Sequence, residues 1–268
     1  RMRAAGIRSS LFIDPDLDAV LVDRLHEAND CVIAFAKERA SQAPRDLEEA
    51  GQRLVGAAAP DQFGKAGDEQ AQLVDAGGIM RLADAGAKIV AVTDWKGGVY
   101  NAKGLDVKKL IEFAQQNKTV AGFPGAEALD PSKIFGLDVD ILIPAALENQ
   151  ITEANAHEIK AKIVAEGANG PTTPDAHQAL HSRGVFVIPD ILANAGGVTT
   201  SYFEWVQDRH GYFWEEAEVN ARLEKKMVDA FDAVFAMAQK YKTDMRTAAY
   251  IVAINRVGTV TRMRGMYA

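Results

Sequence analysis

The chain has 268 residues, which is the length of one large domain or two modest ones and is enough for a sizeable core. Hydrophobic residues make up 48% of it and charged residues 25%, which excludes a disordered or fibrous chain, and the net charge of −7 argues against a nucleic-acid partner. The apolar runs are too short to span a membrane, and the single cysteine, Cys31, gives no disulfide framework, so we expect a cytoplasmic protein with no membrane partner.

Four short apolar runs from residue 88 onward predict buried parallel strands. Helical segments with start signals separate them, namely Asp106 before VKKLIEFAQQN, Thr152 before EANAHEIK, and Thr173 before PDAHQALHSR. Alternating strands and helices predict an α/β fold with a doubly wound, Rossmann-like, mostly parallel sheet. The four runs are residues 88–93 (KIVAVT), 139–143 (VDILI), 162–165 (KIVA) and 185–188 (VFVI).

Long helices are expected at the C-terminus, and the N-terminus has a different character. Residues 215–242 carry an apolar stripe that predicts a core-facing helix, and a second helix is expected over residues 245–262. The N-terminal segment, residues 1–70, is predicted to be mainly helical, with its best helical stretch at residues 16–41. We therefore expect a dinucleotide-binding domain with a C-terminal helical lobe over residues 71–268.

Three polar loops follow predicted strands, at the edge where open α/β sheets bind ligands. Asp94 follows the first strand, where a carboxylate either binds the ribose hydroxyls of a dinucleotide or simply starts the turn through Lys96 and Gly97. The small residues of the PAALEN loop allow a flat ring to approach the backbone. The ANAGGVTTS loop, which contains Asn194, offers hydrogen-bond donors next to a helix start.

The order of these motifs resembles the cofactor domain of glutamate dehydrogenase, within the glutamate/leucine/phenylalanine/valine dehydrogenase family. The likeness covers about residues 85–268 and includes VAVTDWKGGVYN, ILIPAALENQIT, IVAEGANGPTTPDA, IPDILANAGGVTTSYFEWVQD and AYIVAINRV. The resemblance implies an NAD cofactor, with NADP as the alternative, and glutamate and 2-oxoglutarate as substrate and product. It also implies a homo-oligomer.

Residue roles follow from the resemblance alone. Asp94 would lie near the adenosine ribose, Ala145 and Ala146 would line the dinucleotide, and Asn169 and Asn194 would approach the nicotinamide. Val198 and Ser201 match the positions that meet the substrate side chain, where the serine hydroxyl can bind a γ-carboxylate.

The sequence departs from the family pattern upstream of residue 85. The G-x-G-x-x-G fingerprint, which lets the backbone approach the pyrophosphate, is reduced to Gly77-Gly78. No catalytic lysine or aspartate of the substrate domain can be placed, so no catalytic residue is assigned. The leading hypothesis is thus an incomplete glutamate dehydrogenase that oxidatively deaminates glutamate, and the alternative is a non-catalytic scaffold that serves as a binding or interaction module.

Two further features are interpreted as structural. His177 and His181 stand four residues apart, but HQALH lacks the glutamate of a metalloprotease motif, so a surface pair is expected rather than a metal site. Cys31 has no partner motif and is expected to be a small packed residue.

Overall fold

The structure is a computed structural model that describes residues 52, 79–80, 82–84 and 86–265, together with the backbone of residues 32–36. Its centre is a sheet of seven strands in the order β4-β3-β2-β1-β5-β6-β7. The strands are β1 (Val32–Ala36), β2 (Lys88–Thr93), β3 (Gly98–Tyr100), β4 (Glu127–Leu129), β5 (Ile141–Pro144), β6 (Ile163–Ala165) and β7 (Phe186–Ile188).

The four strands predicted from the sequence all run in the same direction. β5, β6 and β7 pair in parallel, and β1 is antiparallel to both β2 and β5, so β2 and β5 share one orientation. The α/β fold with parallel strands is therefore confirmed. The sequence analysis did not identify β1, β3 or β4. The last two are three-residue strands that extend one side of the sheet as antiparallel neighbours.

Helices follow the strands as the capping signals predicted. They are α1 (Val107–Asn117), α2 (Glu153–Ala156), α3 (Pro174–Ser182), α4 (Asp190–Ala193), α5 (Gly196–His210), α6 (Glu216–Tyr241) and α7 (Met245–Arg264), with a 3-10 helix at Pro131–Gly136. Asp106 caps α1 and Thr173 caps α3 through side-chain hydrogen bonds to the first turn. The segment after Thr152 forms a single short turn of helix, since α2 ends at Ala156.

Helices cover both faces of the sheet, which is the doubly wound arrangement. Successive strand residues alternate between two cores, for example Ile163 in one core and Val164 in the other. The first core receives apolar residues of α1, α5, α6 and α7, and the second receives those of the 3-10 helix, α2 and α3. The predicted stripe of α6 is buried at Val219, Leu223, Met227, Phe231 and Val234, with Phe235 partly buried.

The N-terminal prediction is corrected at one point. Residues 32–36 form a strand at the centre of the sheet instead of part of the expected helix over residues 16–41. The sequence VIAFA is apolar throughout and fits a central strand, so tertiary pairing overrides the local helical pattern. The rest of that helix, Cys31 and the boundary at residue 70 lie outside the described residues.

Candidate functional site

The predicted site residues lie at one edge of the sheet. Thr93 at the end of β2 and Pro144 at the end of β5 both align with Val32 of β1, so these two strands end at the same level on either side of β1. β6 and β7 continue in parallel register and end at the same edge. Asp94, Ala145, Asn169 and Asn194 all follow these strand ends in sequence.

Asp94 holds the turn between β2 and β3. Its Oδ1 accepts hydrogen bonds from the backbone N–H groups of Lys96 and Gly97 at 2.9 and 3.1 Å. Its Oδ2 accepts the N–H of Val120 at 2.7 Å. Of the two roles left open by the sequence, the structure gives this carboxylate the turn role, and the ribose contact stays a prediction.

A cleft of about 730 Å³ opens beside this turn, a volume typical of a small-molecule site. Asp94 and Ala146, two of the predicted cofactor residues, both line it, together with Trp95 and Lys133. The Trp95 ring is 63% exposed and carries the Lys96 ammonium 4.8 Å from its centroid. The cleft therefore offers an aromatic face, a carboxylate and an ammonium group to a ligand.

Small residues bring the ends of β5 and β6 into close contact. A Cβ atom on Gly167 would lie 3.0 Å from the Cβ of Ala145, so a larger residue there would push the two loops apart. The same contact fixes the place of Ala145, the third predicted cofactor residue at this edge.

The two predicted asparagines contact each other directly. The side-chain amide of Asn194 donates to Oδ1 of Asn169 at 2.8 Å and to the carbonyl of Gly167 at 3.3 Å. These bonds join the loop after β6 to the C-terminal end of α4. An amide pair at a strand edge supplies both donors and acceptors to a polar ring.

A buried ionic cluster, which the sequence analysis missed, lies under this pair. Glu166 is fully buried, and its Oε2 accepts the N–H of Asp190 at 2.8 Å and a charged hydrogen bond from Arg246. Arg246 also donates to Oδ1 of Asp190 at 2.9 Å, and Oδ2 of Asp190 accepts the N–H of Gly170 at 2.8 Å. A glutamate directly after a buried strand was the available signal, but its partner is 80 residues away in sequence.

Two groups of the cluster, Asp190 and Arg246, have pKa values shifted in favour of their charged forms. Burial by itself raises the pKa of Asp190, but the N–H groups of Gly170 and Ile191 and the Arg246 guanidinium outweigh it, and the pKa is lowered. Burial likewise works against the charged form of Arg246, yet Glu166 and Asp190 raise its pKa overall.

The predicted substrate residues lie on the outer face of α5. Val198 is 72% exposed, and Ser201, one turn along the same helix, is exposed as well. Tyr202 and Trp205 extend this face with stacked rings 5.9 Å apart, while Phe203 packs into the core. Val198 and Ser201 follow Asn194 closely in sequence, and the structure places both of them on an open surface.

The interpretation of the two histidines as a surface pair is wrong for His177. Its side chain is 12% exposed, and Nε2 lies 3.1 Å from Oδ1 of Asp244, the residue that caps α7. The reason is tertiary, because the start of α7 lies against α3. His181 is exposed, and in the part of the chain that the structure describes no three metal-ligating side chains form a cluster.

The residues at the centre of the sheet differ from a phosphate-binding unit. β1 runs opposite to β2 and β5, so its N-terminal end, not its C-terminal end, lies at the site edge. β1 therefore leads into no glycine turn and helix at the site edge. Gly77 and Gly78, the two glycines that remain of the G-x-G-x-x-G fingerprint, lie outside the described residues. Of the described helices, none has both the length and the apolarity needed to cross a bilayer.

Comparison with known proteins identifies relatives over most of the chain. Residues 74–265 match the model of the glutamate/leucine/phenylalanine/valine dehydrogenase family. The chain is 51% identical over 205 residues to glutamate dehydrogenase of Thermotoga maritima, covering 76% of this chain and 48% of that protein. It is 44% identical over 233 residues to NAD-specific glutamate dehydrogenase of Staphylococcus aureus, covering 87% and 53%.

Solved structures show the same likeness. The hetero-hexameric glutamate dehydrogenase of Thermus thermophilus in its leucine-bound form superposes with a TM-score of 0.69 at 30% identity, covering 85% of this chain and 55% of that chain. Glutamate dehydrogenase of Peptoniphilus asaccharolyticus gives a TM-score of 0.62 at 33% identity, covering 81% and 54%. The chain thus spans about half the length of the curated relatives it matches.

Proposed function

Because the chain belongs to the glutamate/leucine/phenylalanine/valine dehydrogenase family, we propose that it forms the dinucleotide-binding half of an NAD-dependent glutamate dehydrogenase. The reaction is the oxidative deamination of glutamate to 2-oxoglutarate and ammonia, in which bound NAD supplies the acceptor for the hydride of the glutamate α-carbon. The observation that carries the proposal is the Asn169–Asn194 contact at the edge that also holds the Asp94 cleft.

The described residues fit the two ends of such a cofactor. We assign the adenosine end to the cleft lined by Asp94 and Ala146, and the nicotinamide end to Asn169 and Asn194, with Ala145 between them. The described residues offer no cradle for the pyrophosphate, since β1 runs the opposite way. We therefore expect the chain to bind NAD weakly.

NAD is the cofactor that we favour over NADP. The Asp94 carboxylate in the cleft would repel a ribose phosphate, whereas Lys133 in the same cleft would attract one. The Staphylococcus aureus relatives are named as NAD-specific, which adds support for NAD.

Glutamate would lie against the outer face of α5. There the hydroxyl of Ser201 would donate to the γ-carboxylate and Val198 would contact the aliphatic part of the side chain. This face is open, and a substrate must be shielded from water for hydride transfer. Polypeptide beyond this half would therefore have to cover it and supply the lysine and aspartate for acid–base catalysis.

Assembly and location follow from the same proposal. Exposed apolar side chains along α7, such as Ile254 and Val257, are consistent with a homo-oligomer. A single cysteine suits a reducing compartment, so we place the protein in the cytoplasm.

One observation favours a second function. In the part of the chain that the structure describes, the reversed β1 offers no glycine turn to a pyrophosphate at the site edge, as expected for a scaffold that has kept the fold but lost the cofactor. In that case the chain is a non-catalytic binding or interaction module.

Titration of the purified chain with NAD separates the two functions. We expect saturable but weak binding that the variant Asn194→Ala reduces, and little deamination of glutamate by the chain on its own. The matched control is Asn117→Ala, because Asn117 is an exposed asparagine whose side chain bonds only to Phe113 in its own helix. Absence of saturable NAD binding would reject the dehydrogenase proposal and favour the scaffold.

A further inference from the structure

Arg246 connects the C-terminal helix to both loops of the candidate nicotinamide site. It lies in the first turn of α7, and its two terminal nitrogens bond different carboxylates. Nη2 bonds Glu166, at the start of the loop after β6, and Nη1 donates to Asp190, at the start of α4. One guanidinium therefore joins three elements that are far apart in sequence.

Glu166 depends on Arg246 because it has few other hydrogen-bond partners among the described residues. It is fully buried, and its Oε1 has no hydrogen-bond partner among the described residues. A buried carboxylate is costly unless it is paired, so the bond to Arg246 is the main compensation for its charge. Removing the guanidinium would leave this carboxylate with the N–H of Asp190 as its one described partner.

Asp190 carries the constraint to the asparagine pair. Its Oδ2 accepts the N–H of Gly170, which follows Asn169, and its carbonyl accepts the N–H of Asn194 at 3.0 Å. Asp190 thus binds the residue next to Asn169 through its side chain. It binds Asn194, one helical turn further along, through its backbone carbonyl. The 2.8 Å bond between the two asparagines closes the connection.

We propose that Arg246 is a positioning residue, which acts through Glu166 and Asp190 to fix the Asn169–Asn194 pair in the geometry that receives the nicotinamide. The inference rests on the proposed function, since it assigns a role to the support of that site. A planar guanidinium suits this task because it bonds two carboxylates in fixed directions, which a lysine ammonium does not.

The test compares Arg246→Lys, which keeps the charge but loses the two-directional bonding, with Arg222→Lys as the matched control. Arg222 pairs with Glu218 at 2.7 Å on the exposed side of α6 and lies 4.1 Å from the centroid of the Trp214 ring. Among the described residues it forms no bond to the site loops. Side-chain amide signals of Asn169 and Asn194 are followed by NMR in the ¹⁵N-labelled chain without ligand. We expect both signals to move in Arg246→Lys and to stay in place in Arg222→Lys. Unmoved signals in a folded Arg246→Lys chain would overturn the proposal.

Nucleotide titrations add a readout that loss of stability alone would not change. AMP reports only on the adenosine end, whereas NAD reports on both ends. We expect Arg246→Lys to lose the preference for NAD over AMP and to keep the affinity for AMP. An equal loss of both affinities would show a merely structural role and overturn the proposal.

Two outcomes keep this test separate from the proposed function. If the unmodified chain shows no preference for NAD over AMP, the nicotinamide assignment fails, and the amide signals alone decide whether Arg246 positions the pair. If Arg246→Lys does not fold, Asp190→Asn replaces it, because the asparagine keeps one oxygen for Gly170 and weakens the bond to Arg246. Moved amide signals in that variant support the proposal, and unmoved signals reject it.

Discussion

Asn194 donates its side-chain amide to Asn169 across 2.8 Å and so joins the loops that follow β7 and β6. The two residues are 25 positions apart, and each follows a strand of the parallel part of the sheet. Parallel strands end at the same edge of the sheet, so the fold brings the two amides together. No pattern among neighbouring residues in the sequence indicates this contact.

Replacing Asn194 with alanine removes this bond and the 3.3 Å bond to the carbonyl of Gly167. We expect the free energy of unfolding to fall by about 1–2 kcal/mol, since one intramolecular hydrogen bond usually contributes about 1 kcal/mol. Chemical denaturation measures this cost, and Asn117→Ala serves as the control because it also removes one asparagine bond. A loss of more than several kcal/mol would show that Asn194 has a larger structural role than its two bonds indicate.

Substitution of Asp94 distinguishes its turn role from a ribose contact. Asp94→Ala leaves three backbone N–H groups without their acceptor, and we expect a loss of stability of about 1–3 kcal/mol. If the carboxylate also selects the ribose, the ratio of NAD to NADP affinity changes as well. Calorimetric titration with both cofactors measures this ratio, and an unchanged ratio would restrict Asp94 to the turn. Asp106→Ala, which removes the cap of α1 and an exposed ion pair with Lys109, is the control.

The lowered pKa of Asp244 predicts that the fold loses stability in acid. Burial by itself raises the pKa of this carboxyl, but hydrogen bonds from the backbone and hydroxyl of Thr247 and from His177 outweigh burial and lower the pKa to about 2. A pKa that is lower in the folded state stabilises the fold above the unfolded value of 3.8, and this stability is lost as the pH falls towards 2.

The expected contribution of Asp244 is about 1–2 kcal/mol, less than the full shift implies because the carboxyl is partly exposed. Denaturation curves between pH 5 and about pH 2 measure it, with Asp244→Asn against Asp138→Asn, a change of an exposed carboxylate. Equal acid sensitivity of the unmodified chain and Asp244→Asn would contradict this prediction.

Ser201 is expected to select glutamate over an aliphatic amino acid. A hydroxyl placed to bind the γ-carboxylate is left unpaired by leucine, so replacing the serine with alanine should weaken discrimination by about 1–3 kcal/mol. The comparison is best made on the matching serine of a full-length relative, using kcat/KM for glutamate and for leucine. Replacing the residue that matches Ser182, which is exposed at the end of α3, with alanine is the control, and unchanged selectivity in the variant of the serine that matches Ser201 would reject the role.

The sequence by itself determined the local elements of this protein. Apolar β-branched runs gave four of the seven strands, and the capping side chains of Asp106 and Thr173 marked the starts of two helices. These features depend on residues a few positions apart, so a linear pattern contains them. Asp94 was found for the same reason, since it directly follows β2, and Asn194 was found because it follows β7 after one short helix.

Only the tertiary structure decided which residues meet. The place and direction of β1, the Glu166 bond to Arg246 at a separation of 80 residues, and the His177 bond to Asp244 at 67 have no local signal. Such contacts depend on how elements pack after they form, and a charge such as Arg246 looks like any surface arginine in the sequence. The physical reason is that a charged group removed from water is stable only if it is paired with an opposite charge or hydrogen-bonded. Which groups are removed from water depends on the assembled fold.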